Sequence, residues 1–364
     1  MKRNICIVTG ARPNFVKVAP ILKALGRAKE QGSDVDYKLV YAGTEKDSSL
    51  EPTLFEDLQI QRPDIFLGVD CENMNELTGR VMSEFEQYLN AHPTDVVIVV
   101  DDLASTMAVA IVTKKRGIRL AHLVAGTRSF DITMPKEINR LVIDGLSDLL
   151  FTAGMSSNTN ATREGAELHK IYMVGNILMD TLRLAHGRLQ RPAVMDKLGL
   201  NAGEYVVFTL NRKALFANKE LLEQMVGVLT ASGMPIVAPL RTEAVKAVSP
   251  FIAKGNEPSN FHIIPPLSYL EFGWLTAHAK GIVTDSGNVA EEATFNSVPC
   301  ITLNSYTEHI ETVKVGSNVL VGEDAERLRE ALDTLKRGEW KRCSLPERWD
   351  GRTAERIVKT IMES

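Results

Sequence analysis

"VVIVVDDLAST" runs from Val96 to Thr106. Five β-branched aliphatic residues in a row favour an extended strand and leave it no polar face, so both its sides must be covered. Two aspartates follow directly, and a helical pattern opens near Ala104. Strand, polar turn and helix in that order make half of a β-α-β unit. The same unit can be read repeatedly along the chain. Strand-like runs fall at Ile5–Thr9, Tyr37–Ala42, Asp95–Val100, Leu120–Val124, Leu149–Thr152 and Ile171–Val174, then at Tyr205–Thr209, Pro235–Ala238, Phe261–Ile264, Gly281–Thr284 and Pro299–Leu303. Helical patterns intervene, as at Asn14–Lys29, Ala104–Arg116 and Glu220–Leu229. This rhythm, told twice, predicts an α/β protein of two Rossmann-like, doubly wound domains.

The expected domains are residues 1–176 and 177–349, with a terminal helix over 350–364. The boundary is sought in the helical stretch Ile177–Leu198 or in the "NAGEY" segment after it. Open α/β sheets bind ligands beyond the carboxyl ends of their strands. A cleft between the two sets of strand ends is therefore the expected site.

Composition narrows the function classes. The chain has 364 residues, 44% hydrophobic and 24% charged, with a net charge of −4. That balance gives no electrostatic case for nucleic acid or an anionic membrane. No apolar run approaches the roughly 20 residues of a membrane span. "MKRNICIVTG" reads as a first buried strand, because its apolar run stops at Thr9-Gly10. Cys6, Cys71, Cys300 and Cys343 form no CxxC pair, and the seven histidines show no metal-ligand spacing. Free thiols in a reducing cytoplasm are expected, with no metal and no cofactor.

Four stretches carry candidate chemistry. In "TGARPNFVKVAP" (Thr9 to Pro20), Gly10 ends a strand and Pro13 suits a helix start. Free N–H groups there favour phosphate, and Arg12 and Lys17 add cationic donors; a capped helix with solvated basic residues fits equally. In "VTDSGNVAEEATFNSVPCITL" (Val283 to Leu303), Ser286, Gly287, Asn288 and the following N–H groups suit a pyrophosphate. Glu291 or Glu292, a turn further on, suits a ribose diol; a capping pair is the alternative. Asp101 and Asp102 follow the apolar strand, where a raised pKa would make an acid or base; capping of the helix near Ala104 is the alternative. In "HLVAGTRSFDITMPKEINR" (His122 to Arg140), Arg128 and Arg140 can clamp an anion, and Lys136 and Glu137 begin a helix after Pro135. Phe272 and Trp274 in "YLEFGWLTAHA" are core or base-stacking aromatics.

These stretches, in this order, resemble the non-hydrolysing UDP-N-acetylglucosamine 2-epimerase family over nearly the whole chain. The resemblance implies the two-Rossmann GT-B architecture of many glycosyltransferases, a C-terminal helix returning to the first domain, a UDP or UDP-sugar ligand and a homodimer. It also implies elimination of UDP across C1 and C2 of the sugar and its return to the other face. That requires two proton-transfer groups and cations for the departing diphosphate. Carried over by motif, Arg12 and Lys17 keep the phosphate positions and Asp102 the aspartate after the central strand, while Asp101 replaces a glycine. Phe272 keeps the uracil-stacking position, Ser286 and Gly287 the diphosphate turn, and Glu292 the ribose carboxylate.

The sugar-facing positions depart from the family. Its two catalytic glutamates are Val124 and Lys136 here. Its Thr-x-His-Arg histidine is Asn211, beside a retained Arg212. His309 stands for an arginine near the diphosphate, and Asn288 for the second glycine of the turn. Valine cannot move a proton, and losing a positioned acid or base costs about 10²–10⁴-fold in rate. The expected function is a nucleotide-sugar protein with altered chemistry, glycosyl transfer being one form. The alternatives are an inactive homologue partnering an active paralogous subunit, or a 2-epimerase using Asp101, Asp102 and Glu137.

Overall fold

The Val96–Val100 run is the fourth strand of a seven-stranded parallel sheet, and all five of its residues are buried. The structure, a computed structural model, describes residues 2–252 and 260–364. By internal contacts the chain forms two units, Met1–Leu184 with Glu347–Ser364, and Ala185–Pro346.

The first unit contains β1 (Arg3–Thr9), β2 (Val35–Tyr41), β3 (Ile65–Phe66), β4 (Val96–Val100), β5 (Arg119–Ala125), β6 (Leu149–Thr152) and β7 (Ile171–Met173). Their order is β3-β2-β1-β4-β5-β6-β7. The second contains β8 (Val206–Thr209), β9 (Ile236–Pro239), β10 (Phe261–Ile264), β11 (Gly281–Thr284), β12 (Cys300–Thr302) and β13 (Asn318–Leu320), ordered β10-β9-β8-β11-β12-β13. Every pairing is parallel. Each sheet grows outward from its first strand in one direction and then in the other. The topological switch points therefore lie at β1/β4 and at β8/β11, the places where doubly wound sheets bind ligands.

Two strands escaped the sequence reading. Ile65–Phe66 and Asn318–Leu320 are edge strands of two and three residues, too short to show a period. The units divide at 184/185 and 346/347 rather than at 176/177 and 349/350. Most of the helix Ile177–Ala185 belongs with the first unit, because Asp180 accepts from the amides of Thr353 and Ala354 at 3.0 and 2.8 Å. Trp349 is 1% exposed, and its indole N–H donates to the Ala153 carbonyl at 3.0 Å. The terminal helix Thr353–Glu363 packs against the helix Arg12–Glu30. Among the described residues, no helix is long and apolar enough to cross a membrane, and no group of three metal-ligating side chains converges.

Candidate functional site

At the β1/β4 switch point of the first unit, the chain leaves β1 through Gly10 and enters the helix Arg12–Glu30. A Cβ at Gly10 would stand 2.1 Å from the Ser105 hydroxyl and 3.0 Å from a Leu103 methyl, so glycine lets the turn after β4 approach without displacing either side chain. The Asn14 side-chain oxygen accepts from the amides of Gly10 and Ala11 at 2.9 and 3.1 Å. Its NH₂ donates to Asp101 at 2.8 Å. The Lys17 ammonium lies 2.5 Å from the other Asp101 oxygen. Arg12 is half-buried.

Asp101 and Asp102 are therefore held, not open. Asp101 adopts φ 57°, the left-handed region, and its carbonyl receives Nε2 of His122 at 2.9 Å. Asp102 is 8% exposed; one of its oxygens takes Nε and Nη2 of Arg140 at 2.8 and 2.6 Å. Its other oxygen lies 3.7 Å from the exposed Lys136 ammonium.

The loop from His122 to Arg140 is built on internal ion pairs. His122 binds Asp144 through Nδ1 at 2.6 Å, and Asp144 also takes the Gly126 amide at 3.0 Å and Arg128 at 2.7 Å. Burial works against the Asp144 carboxylate, but His122 and Arg128 hold it below its usual range. Arg128 further pairs with Glu164. Gly126 has φ 72°, and a Cβ there would meet the Ser157 carbonyl at 2.2 Å. Glu137 turns back to accept from the amides of Ser129 and Phe130 and from the Ser129 hydroxyl, and it pairs with Arg140 at 3.1 Å. Burial opposes its charge, yet those donors hold it below the ordinary glutamate range. Arg128 and Arg140, read from the sequence as an anion clamp, are thus spent on internal carboxylates. Val124 sits at φ 72° beside a register shift in β5 and is half-buried. A β-branched residue in that conformation is a true outlier.

The second unit repeats the layout at its own switch point. Thr209 at the end of β8 and Thr284 at the end of β11 share a hydrogen bond of 2.7 Å. Asp285 follows β11, and one of its oxygens takes the amides of Asn211 and Arg212 at 2.7 and 2.6 Å. The Arg212 guanidinium binds Asn304. Ser286 caps the helix Gly287–Phe295, while Gly287 and Asn288 are exposed and a Cβ at Gly287 would meet nothing within 4 Å. The Ser286 amide is taken by the Thr284 hydroxyl at 3.0 Å and the Val289 amide by the Ser286 hydroxyl at 3.5 Å, which leaves the Gly287 and Asn288 amides at the helix start as the donors suited to an anion. Glu292 is half-buried with no hydrogen-bond or ion-pair partner among the described residues, and burial, reinforced by Glu291, pushes its carboxyl up to about 8. Glu291 is buried and faces His309 at 3.3 Å. Phe272 packs against the hydrophobic cluster around Leu275 and Ile282. Trp274 stacks on His278 and under Arg191, so it is a packing residue.

Each unit thus gathers its sequence-read residues at one switch point: Arg12, Lys17, Asp101, Asp102, Lys136, Glu137 and Arg140 in the first, Asn211, Arg212, Ser286, Gly287, Asn288 and Glu292 in the second. Three positioning residues were missed: Asn14, Asp144 and Asp285. Asp285 directly follows an apolar run, a signal that was legible. Asp144 lies 22 residues from His122, a pairing that only the fold creates.

The family model described as UDP-N-acetylglucosamine 2-epimerase matches residues 27–362. A UDP-N-acetylglucosamine 2-epimerase of Methanocaldococcus jannaschii is 33% identical over 370 residues, covering 98% of this chain and 98% of that protein. A UDP-2,3-diacetamido-2,3-dideoxy-D-glucuronate 2-epimerase of Pseudomonas aeruginosa is 32% identical over 339 residues, covering 91% and 92%. The crystal structure of the Methanocaldococcus jannaschii UDP-GlcNAc 2-epimerase in complex with UDP-GlcNAc and UDP superposes with a TM-score of 0.83 at 31% identity, covering 99% of this chain and 100% of that one. With a family model spanning nearly the whole chain and relatives above 30% identity over nine-tenths of it, this chain belongs to the UDP-N-acetylglucosamine 2-epimerase family.

Proposed function

We propose that the chain binds UDP or a UDP-sugar and performs altered chemistry on the sugar. The observation that carries this reading is the contrast between the two switch points. In the second unit, Gly287 and Asn288 are exposed at a helix start and Glu292 has no hydrogen-bond or ion-pair partner among the described residues, which supports nucleotide binding. In the first unit, Val124 and Lys136 occupy the positions of the family's two proton-transfer glutamates. Of the remaining carboxylates there, Asp101 is bound to Lys17 and Asn14 and Glu137 to the 129–130 amides and Arg140, while Asp102 gives one oxygen to Arg140 and keeps the other 3.7 Å from Lys136, which leaves one candidate proton-transfer group rather than two.

That weighs against a 2-epimerase relying on Asp101, Asp102 and Glu137. Glycosyl transfer needs diphosphate stabilisation and one base rather than two proton-transfer groups, and fits better. Asp102 is the candidate base, since one of its oxygens faces Lys136 rather than Arg140. The homodimer implied by the resemblance and a cytoplasmic location, supported by four unpaired cysteines, belong to the same reading.

The test is calorimetric titration with UDP and UDP-GlcNAc, followed by incubation with UDP-GlcNAc in deuterium oxide. Binding without deuterium at C2 is expected. Wash-in at C2 would sink the altered-chemistry part, and failure of both ligands to bind would sink the whole. Light scattering on the same preparation reads the oligomeric state.

A further inference from the structure

The environment of Asp101 points beyond a base or a helix cap. Its backbone is in the left-handed region, at φ 57°, where glycine is the least costly residue. That backbone is pinned by His122 on the Asp101 carbonyl and by the Asp101 amide on the Leu123 carbonyl at 3.3 Å. Both carboxylate oxygens are committed, one to Lys17 and the other to the Asn14 amide group. The Lys17 and Asp101 side chains are 10% and 17% exposed, so the attraction is only weakly screened by water. Through Asn14 the same carboxylate connects to the Gly10 and Ala11 amides at the start of a 19-residue helix. One carboxylate thus holds a lysine and, through one side chain, a helix N-terminus.

We infer that Asp101 is an internal counter-anion that withholds Lys17 from a ligand's phosphate and so sets the positive charge this turn presents. The inference rests on the proposed nucleotide reading. A phosphate oxygen approaching Lys17 competes with a carboxylate already 2.5 Å away, so part of the binding free energy goes into displacing it. With Asp101 neutralised, the Lys17 ammonium is available and the turn gains one positive charge. Asp101 is a positioning residue here, because it acts through Lys17.

The experiment is a double-mutant cycle read by calorimetric UDP affinity on the full chain. Asp101→Gly suits φ 57° and removes the carboxylate; Asp101→Asn keeps a polar side chain and removes only the charge. Each is expected to tighten UDP binding about tenfold, a typical size for one charge-assisted contact. Lys17→Ala is expected to cost about tenfold more in an Asp101 variant than in the parent.

A merely structural ion pair would lower the unfolding midpoint of the variants without moving UDP affinity. That result, or equal Lys17→Ala losses in both backgrounds, overturns the inference. If Asp101→Gly does not fold, Asp101→Asn carries the test. A parent that binds UDP with variants no tighter defeats only the Asp101 inference. Parent and variants all failing to bind defeats this inference and the nucleotide reading together.

Discussion

Arg140 grips one oxygen of Asp102 with Nε and Nη2, at 2.8 and 2.6 Å, while Asn139 donates to the Asp102 carbonyl at 2.8 Å. Both guanidinium donors meet the same oxygen, which anchors that end of the carboxylate and leaves the other oxygen facing Lys136 at 3.7 Å. The first unit therefore orients a carboxylate at its switch point, and under the proposed reading Val124 and Lys136 stand where the family's two glutamates would be. Framework and chemistry can each be tested.

The first prediction concerns restored proton transfer. The double variant Val124→Glu, Lys136→Glu is expected to exchange the C2 proton of UDP-GlcNAc about 10²-fold faster than the parent, the low end for a positioned acid or base. Deuterium incorporation followed by mass spectrometry measures it. Val124→Glu should not destabilise the fold, because a residue without β-branching is less strained at φ 72°. No gain over the parent would mean that residues other than these two block the family reaction.

Glu137 is predicted to be structural. It is 3% exposed and accepts from two amides, a hydroxyl and Arg140. Glu137→Ala leaves Arg140 short of a partner and orphans the Ser129 and Phe130 amides, a loss of about 3–5 kcal/mol. Glu137→Gln keeps an acceptor and should lose less. Urea unfolding of the two variants checks the order, and equal losses would mean that the charge alone matters.

Nucleotide affinity should depend on pH through Glu292. Its carboxyl is raised to about 8, so it is mostly neutral at pH 7 in the free chain. A ribose diol donates to the ionised form, so binding must release a proton at neutral pH. The sign follows: affinity rises with pH up to about 8 and flattens above, and falls by up to about tenfold per unit below. Calorimetry in buffers of different ionisation enthalpy counts the proton. Glu292→Gln should abolish both the slope and the proton release; a slope that survives assigns it to another group.

The C-terminal return should be essential to the first unit. Trp349 is fully buried with its N–H satisfied by Ala153. Trp349→Ala removes a large core side chain and orphans that carbonyl, for a loss of about 3–5 kcal/mol. A drop in the thermal midpoint checks it, and an unchanged midpoint would show that the terminal segment contributes little.

The sequence by itself determined the α/β class, eleven of the strands and the polar turns at their carboxyl ends. Runs such as Val96–Val100 have no polar face and can only be doubly covered strands. Through the resemblance it also places Val124 and Lys136 at the family's two glutamate positions, a reading carried by motif order along the chain. It left the state of the charges undecided. Asp101, Arg128, Glu137 and Arg140 read equally well as acids, bases or clamps, since a side chain's partner depends on which strand ends adjoin. The parallel order β1-β4-β5 places Asp101 beside Lys17 and Asp144 beside His122, across separations of 84 and 22 residues. Ion pairs over such distances exist only once the sheet is wound, and they decide which charges of the first unit already have a partner within the chain.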